Sequence, residues 1–342
     1  MRIVTFGETM LRLKTPGAER FFQSPSLEAT FGGSESNVAV SLSLFGENAS
    51  FATVFPDNAL ADAAVAQLRG FGVDTSGIVR TSGRMGLYFV ESGACQRAGR
   101  VIYDRADSAL ALAPPDTIDW PKLLDGADLL HLTGITPSIS ARAADAAILA
   151  AATAKEMGIQ VSFDFNLRMN LWKYGKLPIE VIPILLMYAD ICVANEGQIA
   201  IALGMELEGG AQTHGAPDPQ RFARLTEKIS GIYPNIRVFA TTLRETISAD
   251  HNRLSAALRT RSGFYTARTH DITGIVDRIG AGDAFDAGLI YGLAHFDSPS
   301  EALEFATAAA VLKHSIPGDL NFSTLDEVRA LAFGDADGRI KR

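Results

Sequence analysis

The chain is organised around the stretch Asp277-Arg278-Ile279-Gly280-Ala281-Gly282-Asp283-Ala284-Phe285-Asp286-Ala287-Gly288. Two glycines separated by an alanine follow a predicted strand at residues 274–276, and apolar residues at helical spacing begin directly after them. The pattern predicts a tight turn that opens a helix. The unpaired N–H groups and the positive dipole end of such a helix can bind a phosphate or another anion.

Asp283 lies in the first turn of this predicted helix. A carboxylate beside an anion site is unfavourable unless it has a task, such as accepting the proton of a hydroxyl group that attacks the phosphate. The same residues also suit a plain strand-to-helix turn, and the isolated motif does not separate the two interpretations. A dinucleotide fingerprint is disfavoured because Phe285 replaces its third glycine, and a P-loop is excluded because G-x-x-x-x-G-K-[ST] is absent.

The composition indicates a chain that can bury a large core. It has 342 residues, 47% of them hydrophobic, which suits one large α/β domain or two smaller ones. Cys95 and Cys192 lack any C-x-x-C or His-rich neighbourhood, so we predict neither disulfides nor zinc, and a reducing cytoplasm fits best. The net charge of −8 with scattered basic residues argues against nucleic-acid binding. No apolar run approaches membrane-spanning length, and residues 1–7 read as a strand rather than a signal peptide.

Two β segments interrupt an otherwise regular pattern in the first third of the chain. Residues 10–31 combine turn formers with short alternating pieces, and residues 86–106 contain two alternating runs that predict a hairpin. Tyr103 and Arg105 fall on one face of its second strand, although an exposed strand face would also explain the arginine. Between the two segments, Gly32-Gly33-Ser34-Glu35-Ser36-Asn37 opens a helix. Ser34 is the expected N-cap; alternatively, this turn and Asn37 approach a polar ligand.

From residue 127 onwards, apolar strands alternate with helices. Continuous apolar strands between helices predict a doubly wound, mostly parallel sheet covered by helices on both faces. In such sheets ligands bind beyond the carboxyl ends of the strands, where residues 165–168, 194–196 and 280–283 are expected. Pro317-Gly318 then forces a turn that Asp319 can cap, and a last short helix precedes a polar tail.

These motifs together resemble the ribokinase-like (PfkB) family of carbohydrate kinases over nearly the whole chain. The family's early Gly-Gly-x-x-x-Asn is matched at residues 32–37, and its late Asp-x-x-Gly-Ala-Gly-Asp at residues 277–283. The resemblance implies one kinase domain over residues 1–342, with residues 10–31 and 86–106 as a β-strand lid. It also implies that the chain uses ATP and Mg²⁺.

Within the family the chain most resembles kinases of 2-keto-3-deoxygluconate. The matching segments are Tyr103-Asp104-Arg105-Ala106-Asp107-Ser108-Ala109, Leu132-Thr133-Gly134-Ile135-Thr136-Pro137 and Phe163-Asp164-Phe165-Asn166-Leu167-Arg168. The resemblance implies phosphorylation of this sugar acid to its 6-phosphate, and the planar fork of arginine suits its carboxylate. A fructokinase or another sugar kinase is the alternative within the class. A non-catalytic sensor of a sugar acid or nucleotide is the alternative outside it, and the gluconate and galactonate epimers both stay open.

The resemblance also implies roles for individual residues. Asp283 would accept the proton of the primary hydroxyl group, while the backbone N–H groups of Gly280, Ala281 and Gly282 stabilise the transferred phosphoryl group, at about 3 kcal/mol per donor. The sugar acid would contact Gly33, Ser34, Asn37, Tyr88, Tyr103, Arg105, Ile135, Arg168 and Asp319, with Arg105 and Arg168 offering buried guanidinium groups to the carboxylate. ATP, with its Mg²⁺, would lie near Asn166, Asn195, Glu196, Arg244, Gly280 and Gly282, and no residue is assigned as a direct metal ligand.

Two departures from the family pattern concern the nucleotide. The family's Asn-x-x-Glu reads Asn195-Glu196-Gly197-Gln198 here, so a neutral amide replaces a carboxylate that organises Mg²⁺ through water, and Glu196 compensates in part. A glycine-bearing turn expected after residue 243 is replaced by residues 244–248, from which we assign only Arg244. Finally, lid strands with unpaired edges predict a homo-oligomer.

Overall fold

A ten-stranded sheet forms the centre of the computed structural model, which describes residues 1–207 and 218–334. Within those residues the strands are β1 (Arg2–Phe6), β2 (Met10–Lys14), β3 (Glu28–Gly32), β4 (Asn48–Pro56), β5 (Ile78–Thr81), β6 (Leu87–Glu91), β7 (Arg100–Asp104), β8 (Leu129–Thr133), β9 (Gln160–Asp164), β10 (Ile191–Val193), β11 (Val238–Thr246), β12 (His251–Thr260), β13 (Gly263–Thr266) and β14 (His270–Thr273). The predicted polar tail after residue 334 lies outside the described residues.

Helices connect most of these strands. In the same described ranges they are α1 (Ser34–Leu44), α2 (Ala59–Gly70), α3 (Ala109–Leu112), α4 (Trp120–Leu124), α5 (Thr136–Ile139), α6 (Ala141–Glu156), α7 (Pro178–Leu186), α8 (Glu196–Leu203), α9 (Pro219–Ile232), α10 (Ala281–His295), α11 (Pro299–Lys313) and α12 (Leu325–Phe333), together with a 3₁₀ turn at Met169–Leu171. None of the helices described has both the length and the apolar character needed to cross a membrane.

The strand order of the large sheet is β13-β12-β11-β10-β9-β8-β1-β4-β5, with β14 also paired to β12. The strands from β5 to β11 run parallel, whereas β12, β13 and β14 add antiparallel pairs at one side. Helices cover both faces: Ile3 packs in the cluster that includes α1, α10 and α11, while the next residue, Val4, packs in the cluster that includes α6 and α7. This confirms the predicted doubly wound, mostly parallel α/β fold.

The two predicted β segments form a second, four-stranded sheet with the order β3-β2-β6-β7, hereafter the small sheet. β2 pairs in parallel with β6, which joins the two segments, and each segment contributes one antiparallel partner. The predicted hairpin is confirmed, with Tyr88 of β6 directly opposite Tyr103 of β7. β3 and β7 are the edge strands.

Three local predictions were wrong. The strand expected at residues 274–276 ends earlier, at Thr273, because Gly274 adopts a φ of +68° that a strand cannot continue through. The loop expected at residues 244–248 is mostly strand, since β11 runs on to Thr246 and pairs with β12, with Arg244 opposite Leu254. Ser34 is not the N-cap of α1: Gly33 holds that position, and Ser34 is the first helical residue.

Close packing of α10 against α11 fixes the position of the central motif. A Cβ atom at Gly288 would lie 2.8 Å from the Cα of Ala306, and one at Gly292 would lie 2.7 Å from the Cα of Ala302. Only glycine allows the two backbones to approach this closely. α10 is therefore held closely against α11, and its start lies in the same cleft as the segments that follow β9 and β10.

Candidate active site

A cleft of about 1240 Å³ is lined by the small sheet, by the start of α10 and by segments that follow β9 and β10. Every predicted site residue lines this one cleft: Gly33, Ser34, Asn37, Tyr88, Tyr103, Arg105, Ile135, Asn166, Arg168, Asn195, Glu196, Arg244, Gly280, Ala281, Gly282, Asp283 and Asp319. The lining agrees with the rule that ligands bind beyond the carboxyl ends of parallel strands.

The carboxylate of Asp283 is held by two donors from the start of α1. Ser34 Oγ donates to Oδ1 at 2.5 Å, and Asn37 Nδ2 donates to Oδ2 at 2.6 Å. Burial raises the pKa of Asp283 above its ordinary value, while the hydrogen bonds from Ser34 and Asn37 oppose that rise. The group thus has an increased affinity for a proton and a fixed orientation, which are the properties of a general base.

Asn166 connects Asp283 to the end of β9. Its Nδ2 donates to Ser34 Oγ at 3.0 Å, and its backbone N–H donates to Asp164 Oδ1 at 3.0 Å. The φ of Asn166 is +29°, which is uncommon for a residue with a side chain and needs support from its neighbours. Although Asn166 was predicted near ATP, its side-chain amide contacts the group that orients the carboxylate of Asp283.

The turn before α10 is built around Gly280. Its φ is +82°, and a Cβ atom there would lie 2.0 Å from the carbonyl oxygen of Asp319, so only glycine fits. The Asp277 carboxylate accepts the N–H groups of Ile279 at 3.1 Å and Gly318 at 3.2 Å, which fixes the turn from both sides. At Gly282, by contrast, an added Cβ atom would meet nothing within 4 Å.

The predicted anion donors differ from one another. The first-turn N–H groups of a helix have no intrahelical partner, so we expect that of Gly282, which lines the cleft, to be available to an anion. Ala281, however, donates its N–H to the carbonyl of Arg278 at 3.3 Å within the turn. We therefore expect Ala281 to contribute less to anion binding than the sequence pattern predicts.

Arg12 is a central residue that the sequence analysis missed. It is buried on β2, and its guanidinium group binds Asp319 Oδ1 and Asp277 Oδ2, each at 2.5 Å. Burial alone would lower the pKa of Arg12, but Asp319 and Asp277 outweigh burial and raise it above its ordinary value. The residue thereby ties the small sheet to the turn before α10. The only feature of the sequence that could have indicated this role is a charged residue within the short alternating strand pattern of residues 10–13.

Arg105 and Arg168 have different environments. Arg105 is buried, and Glu8 Oε2 accepts bonds from its Nη2 at 2.6 Å and its Nε at 2.8 Å. Arg168 is exposed, so the expectation of two buried guanidinium groups is wrong: this side chain follows β9 into the open cleft instead of packing beneath it. Glu8 was not predicted, and it compensates the charge of Arg105.

Two tyrosines line the side of the cleft formed by the small sheet. The rings of Tyr88 and Tyr103 lie 6.2 Å apart, and the guanidinium group of Arg105 lies 6.0 Å from the ring centre of Tyr103. A Cβ atom at Gly32 would lie 2.4 Å from Asp319 Oδ2 and 2.7 Å from the Tyr88 hydroxyl, so this glycine makes room for both. Burial, with the charge of Asp319, raises the pKa of Tyr88 well above its ordinary value.

The start of α8 explains the amide at position 198. Asn195 Oδ1 accepts the N–H of Gln198, and Gln198 Oε1 accepts the N–H of Asn195, both at 2.9 Å, which is a capping box. Glu196 forms an ion pair with Arg221 at 3.2 Å. The amide that replaces the expected carboxylate therefore stabilises the helix end beside the cleft.

A group of arginines gives this side of the cleft a positive charge. Arg244 lies inside β11 with its side chain exposed in the cleft, and desolvation by the surrounding cleft together with the charges of Arg278 and Arg168 lowers its pKa. All three line the cleft, and Arg278 was not predicted. Arg244 and Arg278 suit the phosphates of a nucleotide, and Arg168 lies within electrostatic reach of Arg244.

Comparison with known proteins gives consistent matches. A family model described as pfkB family carbohydrate kinase matches residues 1–324. The 2-dehydro-3-deoxygalactonokinase of Haloferax volcanii is 33% identical over 335 residues, covering 98% of this chain and 98% of its own. The 2-dehydro-3-deoxygluconokinase of Thermoproteus tenax is 28% identical over 322 residues, covering 93% and 89%. The crystal structure of 2-dehydro-3-deoxygluconokinase from Thermotoga maritima has a TM-score of 0.91 and 41% identity, covering 98% of this chain and 100% of that one.

The open space at Gly282 yields a direct test of the anion site. We expect Gly282→Ala to keep the thermal stability of the parent, because its methyl group meets no protein atom within 4 Å. We expect the same variant to bind ATP at least about tenfold more weakly, because the methyl group occupies the space beside the start of α10 where a phosphate group is expected to bind. Titration calorimetry and thermal unfolding measure the two effects. The matched variant Gly280→Ala should instead lower Tm. Undiminished ATP affinity in Gly282→Ala would place the anion elsewhere.

Proposed function

Because the chain belongs to the pfkB family of carbohydrate kinases and is an ATP-dependent sugar kinase, we propose that it phosphorylates 2-keto-3-deoxygluconate on its primary hydroxyl group to give the 6-phosphate. The relatives from Thermoproteus and Thermotoga are named as kinases of this compound under its synonym, 2-dehydro-3-deoxygluconate, which supports the proposal. The observation that carries it is the Asp283 carboxylate, oriented at the start of α10 in the same cleft as Arg105 and Arg168.

In this proposal Asp283 accepts the proton of the primary hydroxyl group as that oxygen attacks the terminal phosphate of ATP. Ser34 and Asn37 keep the carboxylate in one orientation, and its raised pKa suits proton transfer. The N–H groups at the start of α10 lie one turn or less from this base, so they stabilise the charge on the phosphoryl group next to the attacking oxygen.

The sugar acid would extend from Asp283 towards the small sheet. Gly33, Ser34 and Asn37 would contact its hydroxyl groups near the base, and Ile135 would pack against the carbon chain. The acid end would meet Tyr88, Tyr103, Arg105 and Arg168, with Asp319 as a further contact. We also propose that the small sheet is the lid of a single kinase domain.

ATP would occupy the opposite side of the cleft, near Asn166, Asn195, Glu196 and Arg244. Its Mg²⁺, implied by the resemblance, adds positive charge on the phosphate oxygens. Among the described residues no three His, Cys, Asp or Glu side chains converge to hold a metal ion by themselves. The capping box uses Asn195 and Gln198, whereas Glu196 keeps a hard oxygen donor at this end, which fits an ion held by phosphate and water with Glu196 nearby.

A fructokinase is the second candidate, and one contact favours it. Glu8 neutralises the charge of Arg105, so this end of the cleft is less positive than two arginines alone would make it. With Arg105 paired to Glu8, selectivity for a sugar acid over a neutral sugar then depends mainly on the exposed Arg168. A non-catalytic sensor is less well supported, because the oriented Asp283 has no task in simple binding.

We further propose a cytoplasmic homo-oligomer. The cysteines Cys95 and Cys192 are both free thiols, which suits a reducing compartment. The edge strand β7 exposes Ile102 as well as Val101, which lines the cleft, and Phe22 in the connection between β2 and β3 is also strongly exposed. Apolar side chains on an unpaired edge strand favour burial against a second copy.

Asp283→Asn tests the base. We expect kcat to fall roughly 10²- to 10⁴-fold, because the amide accepts no proton, while KM for the sugar acid and the folded structure change little. A coupled assay with 2-keto-3-deoxygluconate and thermal unfolding give the two readouts. Asp145→Asn on the exposed face of α6 is the matched control. Normal turnover in Asp283→Asn would rule out its role as the base.

Arg168→Ala tests the substrate class. Because one charged hydrogen bond contributes about 1.5–3 kcal/mol, we expect kcat/KM for 2-keto-3-deoxygluconate to fall roughly 10- to 100-fold. Turnover of fructose, already slow in the parent, and KM for ATP should change far less. Arg100→Ala, on the small sheet outside the cleft lining, is the control. A parent that prefers fructose would favour the fructokinase alternative.

Light scattering at micromolar concentration tests the oligomer. We expect a mass of at least two chains, and a smaller mass for Ile102→Lys, since a lysine on an edge strand opposes pairing. Ile179→Lys, at a similarly exposed position on α7, should leave the mass unchanged. A parent with the mass of one chain contradicts the proposal.

A further inference from the structure

Asp286 is a buried acid for which the proposed reaction has no use. It lies one turn after Asp283 on α10, and only 1% of its surface is exposed. Neither of its carboxyl oxygens accepts a hydrogen bond from any donor in the described residues. Asp286 and Asp164, the last residue of β9, line the same cleft, and their carboxyl groups are near enough for each to affect the pKa of the other.

The charged groups that act on Asp286 itself are negative. Asp164 faces it from β9 and Asp283 from its own helix, while Asp319 acts on Asp283 from the loop after α11. Two cations act on this group of acids: Arg168, exposed on the segment after β9, acts on Asp164 and Asp283, and Lys313, buried at the end of α11, acts on Asp283. Two carboxyl groups in contact in a buried site cannot both be ionised at low cost, so the pair retains a proton.

The hydrogen bonds indicate which partner holds this proton. Asp164 Oδ1 accepts the backbone N–H of Asn166 at 3.0 Å, and such a bond favours the ionised form of Asp164. Asp286 receives no comparable bond. Asp286 is therefore the neutral acid, whose O–H donates to the Asp164 carboxylate.

We propose that Asp286 is a positioning residue, a neutral carboxylic acid that holds Asp164 and, through Asn166 and Ser34, orients the carboxylate of Asp283. The inference rests on the proposed role of Asp283 as the base.

Each step after Asp164 is a direct contact. Asp164 holds the N–H of Asn166, whose backbone has the uncommon φ of +29°. Asn166 Nδ2 donates to Ser34 Oγ at 3.0 Å, and Ser34 Oγ donates to Asp283 Oδ1 at 2.5 Å. Loss of the proton from Asp286 would place a second charge against Asp164, and repulsion would disturb the first of these contacts.

The sign of the pH dependence follows from this arrangement. Burial and the charges of Asp164 and Asp283 raise the pKa of Asp286 well above its ordinary value, so the folded chain keeps a proton that the unfolded chain releases. The free energy of unfolding therefore falls as pH rises from the ordinary pKa of aspartate to the raised pKa of Asp286. In Asp286→Asn the side chain at position 286 does not titrate, so its contribution to the fall in the free energy of unfolding with rising pH disappears.

Kinetics of two variants separate positioning from simple packing. Asp286→Asn keeps a donor to Asp164 at every pH, so we expect its kcat to lie within about threefold of the parent value near neutral pH. In a plot of kcat against pH, the fall of kcat at alkaline pH should move to higher pH in this variant. Asp286→Ala removes the donor, and we expect kcat to fall at least about tenfold with a smaller change in KM. Equal kcat values for the two variants, or an alkaline limb unchanged in Asp286→Asn, would overturn the proposal.

Two readouts need no substrate, so they remain decisive if the proposed function fails. We expect the infrared C=O band of a protonated carboxylic acid in the parent at about pH 8, far above the ordinary aspartate pKa, and its loss in Asp286→Asn. We also expect the free energy of unfolding to fall less steeply with pH in Asp286→Asn than in the parent. Absence of the band from the parent, or equal slopes, would show that Asp286 is ionised and would overturn the proposal.

Discussion

The position of the cleft depends on one buried cation. Arg12 reaches from the small sheet to two carboxylates on either side of the turn before α10. Removing one partner of a buried ion pair typically costs about 3–5 kcal/mol, because a charge then remains buried without compensation. Asp277 uses its other contacts to hold the N–H groups of Ile279 and Gly318, so this ion triad determines the geometry of the turn as well as the place of the small sheet.

The two ends of the cleft use charge differently. At the proposed sugar end, each of the buried cations Arg12 and Arg105 is paired with carboxylates, so these residues fix shape more than they supply net charge. At the proposed nucleotide end, Arg244 and Arg278 add positive charge, and desolvation together with the charges of Arg278 and of the nearby Arg168 lowers the pKa of Arg244. Such mutual repulsion is relieved when an anion binds, which suits a substrate that carries several negative charges.

Local patterns in the sequence predicted much of this arrangement. Periodicity and glycine positions predicted the parallel strands, the helix start at Gly280 and the small sheet. The site residues that the family resemblance implied all line one cleft. The pairing of Arg12 with Asp319 and Asp277 spans 307 and 265 residues, and that of Arg105 with Glu8 spans 97, so no local pattern indicates it. The extension of β11 through Arg244 likewise depends on its partner strand β12, since tertiary pairing overrides turn propensity.

The ion triad of Arg12, Asp277 and Asp319 also affects the order in which parts of the protein can fold during synthesis. β2 emerges from the ribosome well before both partners of Arg12, because Asp277 and Asp319 follow Arg12 by 265 and 307 residues. Until those residues emerge, Arg12 has neither native carboxylate and stays hydrated, because burying an unpaired guanidinium group is unfavourable. The small sheet therefore gains its full anchor on the body only after Asp277 and Asp319 have been synthesised, so a nascent chain can assemble β1, β4 and β8 well before it can form the finished cleft.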